Sequence, residues 1–249
     1  MTPLHALAIF AAGIAAGTIN TVVGSGTLIT FPTLIAFGYA PVTANVSNTI
    51  GLVPGSATGA IGYRSELGGQ RARAVRLAVA SLLGAVLGAT LLLTLPASAF
   101  KAIVPAFIVL ALVAIVLQPR LVRALGDRRR AANEQPGPWA TLAVFLSGVY
   151  GGYFGAAQGI LLVAILGLAL EESLQRINAL KNVLAGLVNF VAGVIFVFAA
   201  HVAWAPAGLI AAGAILGGVI GARWGRRLPP AALRGLIVIV GVIAIVRLL

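Results

Sequence analysis

The polar side chains that could do chemistry in this chain are few, and they gather around two glycine-rich breaks in otherwise apolar sequence. The first break reads "GTINTVVGSGTLITFP" (residues 17–32) and sets Asn20, Thr21, Gly24, Ser25, Gly26 and Thr27 in close succession. The second reads "SGVYGGYFGAAQGILL" (147–162) and holds Tyr150, Tyr153, Gly155, Gln158 and Gly159. Each is followed by an amide-bearing stretch: "ANVSNT" with Asn45, Ser47 and Asn48, and "RINALKN" with Asn178, Lys181 and Asn182, then Asn189 further on. Amides and hydroxyls can each donate a hydrogen bond to an oxyanion. A helix that begins at a glycine-rich turn also presents unpaired N–H groups and the positive end of its dipole, which favours an anion.

Asn20, Gly24, Ser25, Gly26, Thr27, Asn48, Gly155, Gln158, Gly159, Lys181 and Asn182 are therefore the candidate substrate-binding residues. Polar groups in membrane bundles also bond helix to helix, so that role competes for the amides. Asn45 and Asn178 follow turns and are at least as well placed to cap their own helices. Lys181 has two readings: a buried cation paired with a substrate anion, or a side chain that snorkels to the aqueous face beside Arg176. Glu171 and Glu172, the one acidic pair, read as solvated loop carboxylates more readily than as groups that couple to protons or cations.

Other chemistry is poorly served. There is no cysteine, which excludes thiol, iron–sulfur and disulfide chemistry in this chain. The two histidines, His5 and His201, lie far apart near segment ends and read as interfacial polar residues. The sequence lacks a GKS/T phosphate loop, HExxH and a Ser–His–Asp set. No acidic residue falls in an apolar segment, which argues against a metal or cation carrier. No catalytic residue, metal site or cofactor is expected.

The elements that must position these residues follow from composition. Of 249 residues, 60% are hydrophobic and 9% charged, with mean hydropathy +1.07, a balance that a soluble surface does not allow. Apolar runs rich in Leu, Val, Ala and Gly recur without alternation, which points to spanning helices and not to a barrel. Glycines spaced four apart, such as Gly84 and Gly88 or Gly217 and Gly221, allow close helix contact in lipid.

Shifting the sequence by 133 residues superimposes Gly26 on Gly159, Asn45 on Asn178, Gly84 on Gly217, Gly88 on Gly221 and Leu95-Pro96 on Leu228-Pro229. The chain reads as a duplication: a first membrane repeat (1–117), a basic cytoplasmic linker (118–138) and a second membrane repeat (139–249). The first half divides into apolar segments at about 4–23, 25–38, 43–63, 77–95 and 102–117. Those of the second lie at about 139–155, 157–170, 178–200, 202–222 and 235–249. The segments 25–38 and 157–170 would reach roughly 21 Å, short of a ~30 Å hydrocarbon core, and read as thin or re-entrant helices. The expected architecture is an all-α integral membrane protein with eight full spans plus two short helices.

Threading that order places 15 of the 17 basic residues on one face, the cytoplasmic one, with both termini outside. The basic cluster at 64–76 corresponds to 197–209, which has no Arg or Lys, so the two repeats are expected to have inverted topology, as in secondary transporters. The net charge of +12 is thereby explained as an orientation signal, and no nucleic-acid partner is expected. The lipid bilayer and a small anion are the expected partners.

The stretches "GTINTVVGSGTLITFPTL" and "ANVSNTIGLVPGSATGAIGYR" resemble the first half of sulfite exporter TauE/SafE membrane proteins. "SGVYGGYFGAAQGILLVAIL" and "RINALKNVLAGLVNFVAGVIF" look like their second half. The second repeat departs by having "AAQG" where further glycines are usual, and Ala164-Ile165 where the first repeat has Phe31-Pro32. The resemblance implies a transporter, often an exporter, of sulfite, sulfoacetate or other organosulfonates in the bacterial inner membrane. A coupling proton or ion and a homodimer stay open, as do two alternatives: a carrier for another small anion or metabolite, and a non-transporting membrane subunit.

Overall fold

The computed structural model describes residues 1–128 and 136–224, with isolated positions (235, 238, 239 and 242) in the final segment. Its elements are α1 (Pro3–Val22), α2 (Thr27–Ala36), α3 (Pro41–Gly62), a 3₁₀ turn (Arg64–Leu67), α4 (Arg71–Thr94), α5 (Ala97–Arg128), α6 (Pro138–Tyr153), α7 (Gln158–Ala169), α8 (Leu174–Ala199) and α9 (Trp204–Trp224). Proline opens α1, α3 and α6, where its missing N–H costs nothing and its fixed φ suits the first turn. The side chains of Thr2 and Ser173 cap α1 and α8 by accepting the N–H of His5 and Arg176.

Five of these helices are long and apolar enough to cross a membrane: α1, α4, the Ala97–Leu117 part of α5, α8 and α9. The chain is a multi-pass membrane protein. Helices α2 and α7 have 10 and 12 residues, so they reach only about 15 and 18 Å at 1.5 Å per residue.

The boundaries depart from the sequence reading at several helix ends, with α4 starting at Arg71 and not near 77, and α5 at Ala97 and not near 102. Helix α5 continues to Arg128, so the first part of the expected linker is helical. Helix α8 starts at Leu174 and not near 178, because Ser173 caps it and its polar first turn looks like loop in a hydropathy reading. Residues 129–135 of the linker, Arg226, Arg227 and Arg234, and most of the expected segment 235–249 lie outside the described residues.

Packing is organised by small residues. Helix α1 lies along α9, with Gly13 and Gly17 against the backbone of Ile210 and Ala214. Helix α4 lies along α6, with Gly84 and Gly88 against the backbone around Phe145 and Val149. Lipid removes most of the hydrophobic drive between helices, so this backbone proximity supplies the packing contact. The first helix of each half thus lies against the fourth helix of the other. Helices α3 and α8 pack on each other and complete the centre.

Two of the basic clusters meet at one face. Gln70 Nε2 donates to the Arg176 carbonyl at 3.3 Å, and Arg73 and Arg176 both pair with Glu172. Glu172 is therefore an ion-pair partner that ties α4 to the α7–α8 loop, and the solvated-carboxylate reading does not hold for it. Burial pushes its carboxyl up, but hydrogen bonds from Arg176 and Arg73 and their charges outweigh that, leaving the pKa below the ordinary value.

Candidate functional site

The two breaks are built alike. At the end of α1, Val23 and Gly24 both donate their N–H to Ile19 O, at 2.7 and 3.0 Å. At the end of α6, Phe154 and Gly155 do the same to Tyr150 O, at 2.9 and 3.0 Å. Gly24 and Gly155 have φ of 89° and 74°, the left-handed conformation that ends a helix and that glycine adopts without a Cβ penalty. The second break adds Ala157 at φ 60°, the only non-glycine residue with positive φ among the described residues. A side-chain-bearing residue in that region stores strain, and such strain tends to cluster at functional positions.

The breaks also touch. Gly159 donates its N–H to Gly24 O at 3.0 Å, and a Cβ on either glycine would run into the other's Cα. A Cβ on Gly159 would in addition meet Cδ of Lys181 at 2.9 Å, so the lysine stem runs past the first turn of α7.

Lys181 has no exposed surface, which overturns the snorkelling alternative. Its Nζ donates to the carbonyls of Asn20 and Thr21, each at 3.0 Å. Asn182 Nδ2 donates to Thr21 O at 3.3 Å and Asn178 Nδ2 to Val22 O at 3.5 Å. Positions 178, 181 and 182 share one face of α8. That face holds the last three carbonyls of α1, which lack partners within their own helix and carry the negative end of its dipole.

At the second break, Asn45 Nδ2 donates to Tyr153 O at 2.9 Å, and the Tyr150 hydroxyl donates to Ala156 O. Asn45 and Asn178 therefore cap the C-terminal ends of other helices and not the starts of their own, which begin at Pro41 and Leu174. Both sit one turn inside their helices, where the side chain faces a neighbouring helix end.

Asn48 bridges the hydroxyls of α2: its Nδ2 donates to Thr27 Oγ1 at 3.2 Å, and Thr30 donates to its Oδ1. One buried polar group at the mouth of each short helix has no protein partner, Ser25 Oγ before α2 and Gln158 Nε2 at the start of α7. Such groups are uncommon, because an unmet donor or acceptor in the interior carries its full desolvation penalty.

A cavity of about 250 Å³ lies between α3 and α8, lined by Val53, Ser56, Asn182, Gly186, Leu187 and Phe190 among others, so that Asn182 is the candidate residue it reaches. Ser56 Oγ accepts from Asn20 Nδ2 at 3.2 Å and from Asn189 Nδ2 at 3.3 Å. Ser56 and Asn189 are separated by 133 residues.

The fold thus brings together Asn20, Gly24, Ser25, Gly26, Thr27, Asn48, Gly159, Lys181 and Asn182, with Gly155 and Gln158 in the adjoining turn of the second break. Tyr150 and Tyr153 instead join an aromatic group with Phe100 and Phe107, and Ser47 accepts the N–H of Ala203 before α9. Ser56 and Thr30 are the participants that the sequence reading missed. The 133-residue offset read from the sequence offers a signal for Ser56, because it sets that residue on Asn189. Among the described residues no group of three or more His, Asp or Glu side chains converges as metal ligands would.

The family model described as "Sulfite exporter TauE/SafE" matches residues 9–248. The probable membrane transporter protein ORF9 of Sinorhizobium sp is 29% identical over 250 residues, covering 98% of this chain and 93% of its own. The probable membrane transporter protein YfcA of Escherichia coli K12 is 27% identical over 257 residues, covering all of this chain and 91% of its own. A probable membrane transporter protein of Haemophilus influenzae is 27% identical over 225 residues, covering 86% and 83%. No solved structure matches the chain.

Proposed function

The chain belongs to the sulfite exporter TauE/SafE family of membrane transporters, and on that premise we propose that it is a secondary transporter of small sulfur-containing anions. The observation that carries this reading is the contact of two alike-built breaks beside one fully buried lysine and a set of buried amides and hydroxyls. The partnerless Ser25 Oγ and Gln158 Nε2 are groups that an oxyanion could satisfy. The mainly apolar lining of the cavity that Asn182 and Ser56 border favours an organosulfonate such as sulfoacetate, with a short carbon body, over a bare inorganic ion.

The proposed architecture is a pair of inverted repeats with eight full spans and two short helices, exporting by alternating access from the bacterial inner membrane. Two observations support the repeat: α1 with α9 mirrors α6 with α4, and Ser56 touches its own counterpart Asn189, as residues on a twofold axis must. The meeting of two basic clusters at one face supports placing that face in the cytoplasm, with both termini outside.

Proteoliposomes loaded with labelled sulfite or sulfoacetate test the reading. Flux above that of protein-free vesicles is expected, with a loss in Ser25→Leu and Lys181→Ala. Flux of neutral or cationic solutes, indifferent to anion competition, would point to a different carrier, and an absence of flux for every solute would point to a non-transporting subunit. Undiminished sulfoacetate flux in both variants would remove the site assignment while leaving the transporter.

A further inference from the structure

Lys181 is held in a way that suits two protonation states. Its Nζ has two acceptors, the carbonyls of Asn20 and Thr21. An ammonium has three N–H groups and a neutral amine has two. As an ammonium, Lys181 keeps one N–H for a further acceptor. As an amine, it can still satisfy both carbonyls.

No fixed counter-charge faces it among the described residues. Helices α3 and α7 contain no Asp, Glu, Lys, Arg or His, and the only titratable group of α1 is His5, at the opposite end and stacked on Phe37. Helix α6 brings Tyr150, whose hydroxyl donates to Ala156 O, and Tyr153, which packs on Phe100 and Phe107. Of the first turns of α4, Arg73 pairs with Glu172, beside Arg71 and Arg76, and the 3₁₀ turn holds Arg64 and Glu66. On α8 itself, Arg176 is bound to Glu172. The counterpart of Lys181 at the repeat offset is Asn48, so this core holds one ammonium and not two.

Resting on the transporter reading above, we propose that Lys181 carries the coupling proton of the transport cycle. The ammonium binds one anionic group of the substrate through its third N–H and crosses with that charge against it. After the anion leaves, the ammonium gives its proton to water on that side. The amine then returns, held by the two carbonyls, and takes a proton from water on the first side. One proton moves with each anion in the same direction, and at neither crossing does the lysine expose an uncompensated charge to the membrane interior, where such a charge is costly.

The chain has two lysines, Lys101 and Lys181, which makes a direct test practical. In ¹⁵N-lysine-labelled Lys101→Arg protein, which keeps the buried lysine intact, the remaining Nζ signal is expected to pass between ammonium and amine forms between about pH 6 and pH 9. A signal that stays in one form across that range overturns the proposal, whether or not a substrate is known. The second measurement uses vesicles containing the pH dye pyranine. Sulfoacetate uptake by the wild type should acidify the lumen, and Lys181→Met should lower pH-gradient-driven uptake at least about tenfold. Lys181→Arg retains donors for the α1 carbonyls but stays charged, so it separates a capping role from proton carriage. Proton-coupled uptake surviving in Lys181→Arg overturns the proposal, and its loss in a variant of unchanged thermal stability supports it. A wild type that moves no sulfoacetate fails the substrate reading above, and the ¹⁵N titration then decides the proton-carrier role on its own.

Discussion

The break after α1 and the break after α6 have the same backbone and different side-chain support. Each is a helix end closed by two N–H groups on one carbonyl, with glycine in the left-handed region. The α1 end is held by three side chains of α8, one of them a lysine. The α6 end is held by Asn45 and by the Tyr150 hydroxyl, without a charge. The two helix ends are thus alike in backbone and unlike in electrostatics; at the 133-residue offset Asn48 stands where Lys181 does, and it bonds Thr27 and Thr30 and not a helix-end carbonyl.

The largest effect is expected where the breaks meet. Gly159→Leu would drive a branched side chain into Gly24 and the Lys181 stem, so overpacking of at least about 1–3 kcal/mol is expected. A thermal-unfolding series on the detergent-purified protein measures it, with Gly208→Leu, where a Cβ meets open space, as the reference. An equal melting temperature in the two variants would mean that the glycine contact does not set the approach of the breaks.

A smaller effect tests the equivalence of the caps. Asn45→Ala removes a 2.9 Å bond to Tyr153 O and should cost about 0.5–1.5 kcal/mol. Asn178→Ala removes a 3.5 Å contact at a carbonyl end that Lys181 and Asn182 still support, and should cost less. A reversal of that order in chemical denaturation would show that the two ends are held otherwise than their geometry states.

The smallest effect concerns the far ends of the short helices. Helix α2 leads into α3 through Phe37–Ala40 without charges, whereas α7 leads into α8 through Glu172 and its arginines. Because the Glu172 pKa is lowered in the folded state, its contribution is present above the ordinary carboxylate value and is lost as pH falls through the folded value. Glu172→Gln should therefore lower stability modestly at neutral pH and flatten its acid dependence, which a pH series of melting temperatures reads directly.

Much of this could be read from the sequence because membranes impose strong rules. The helix-forming segments, both breaks and the polar residues around them follow from hydropathy and from glycine in apolar runs. Asn20, Lys181 and Asn182 stood out because polar groups inside apolar segments need partners. What the sequence could not supply was which acceptor each donor reaches. The cap roles of Asn45 and Asn178 depend on where α6 and α1 end in space, and no local pattern encodes that. The onset of α8 was missed because its first turn is polar, and the helical continuation of α5 because charge and proline at 118–128 look like loop.

The contact between Gly24 and Gly159 has a consequence for how such a protein can diverge. With no side chain at the point of approach, the two chain segments come as close as the thickness of a peptide allows. The surrounding positions can then exchange amide for amine or hydroxyl without touching the backbone contact itself.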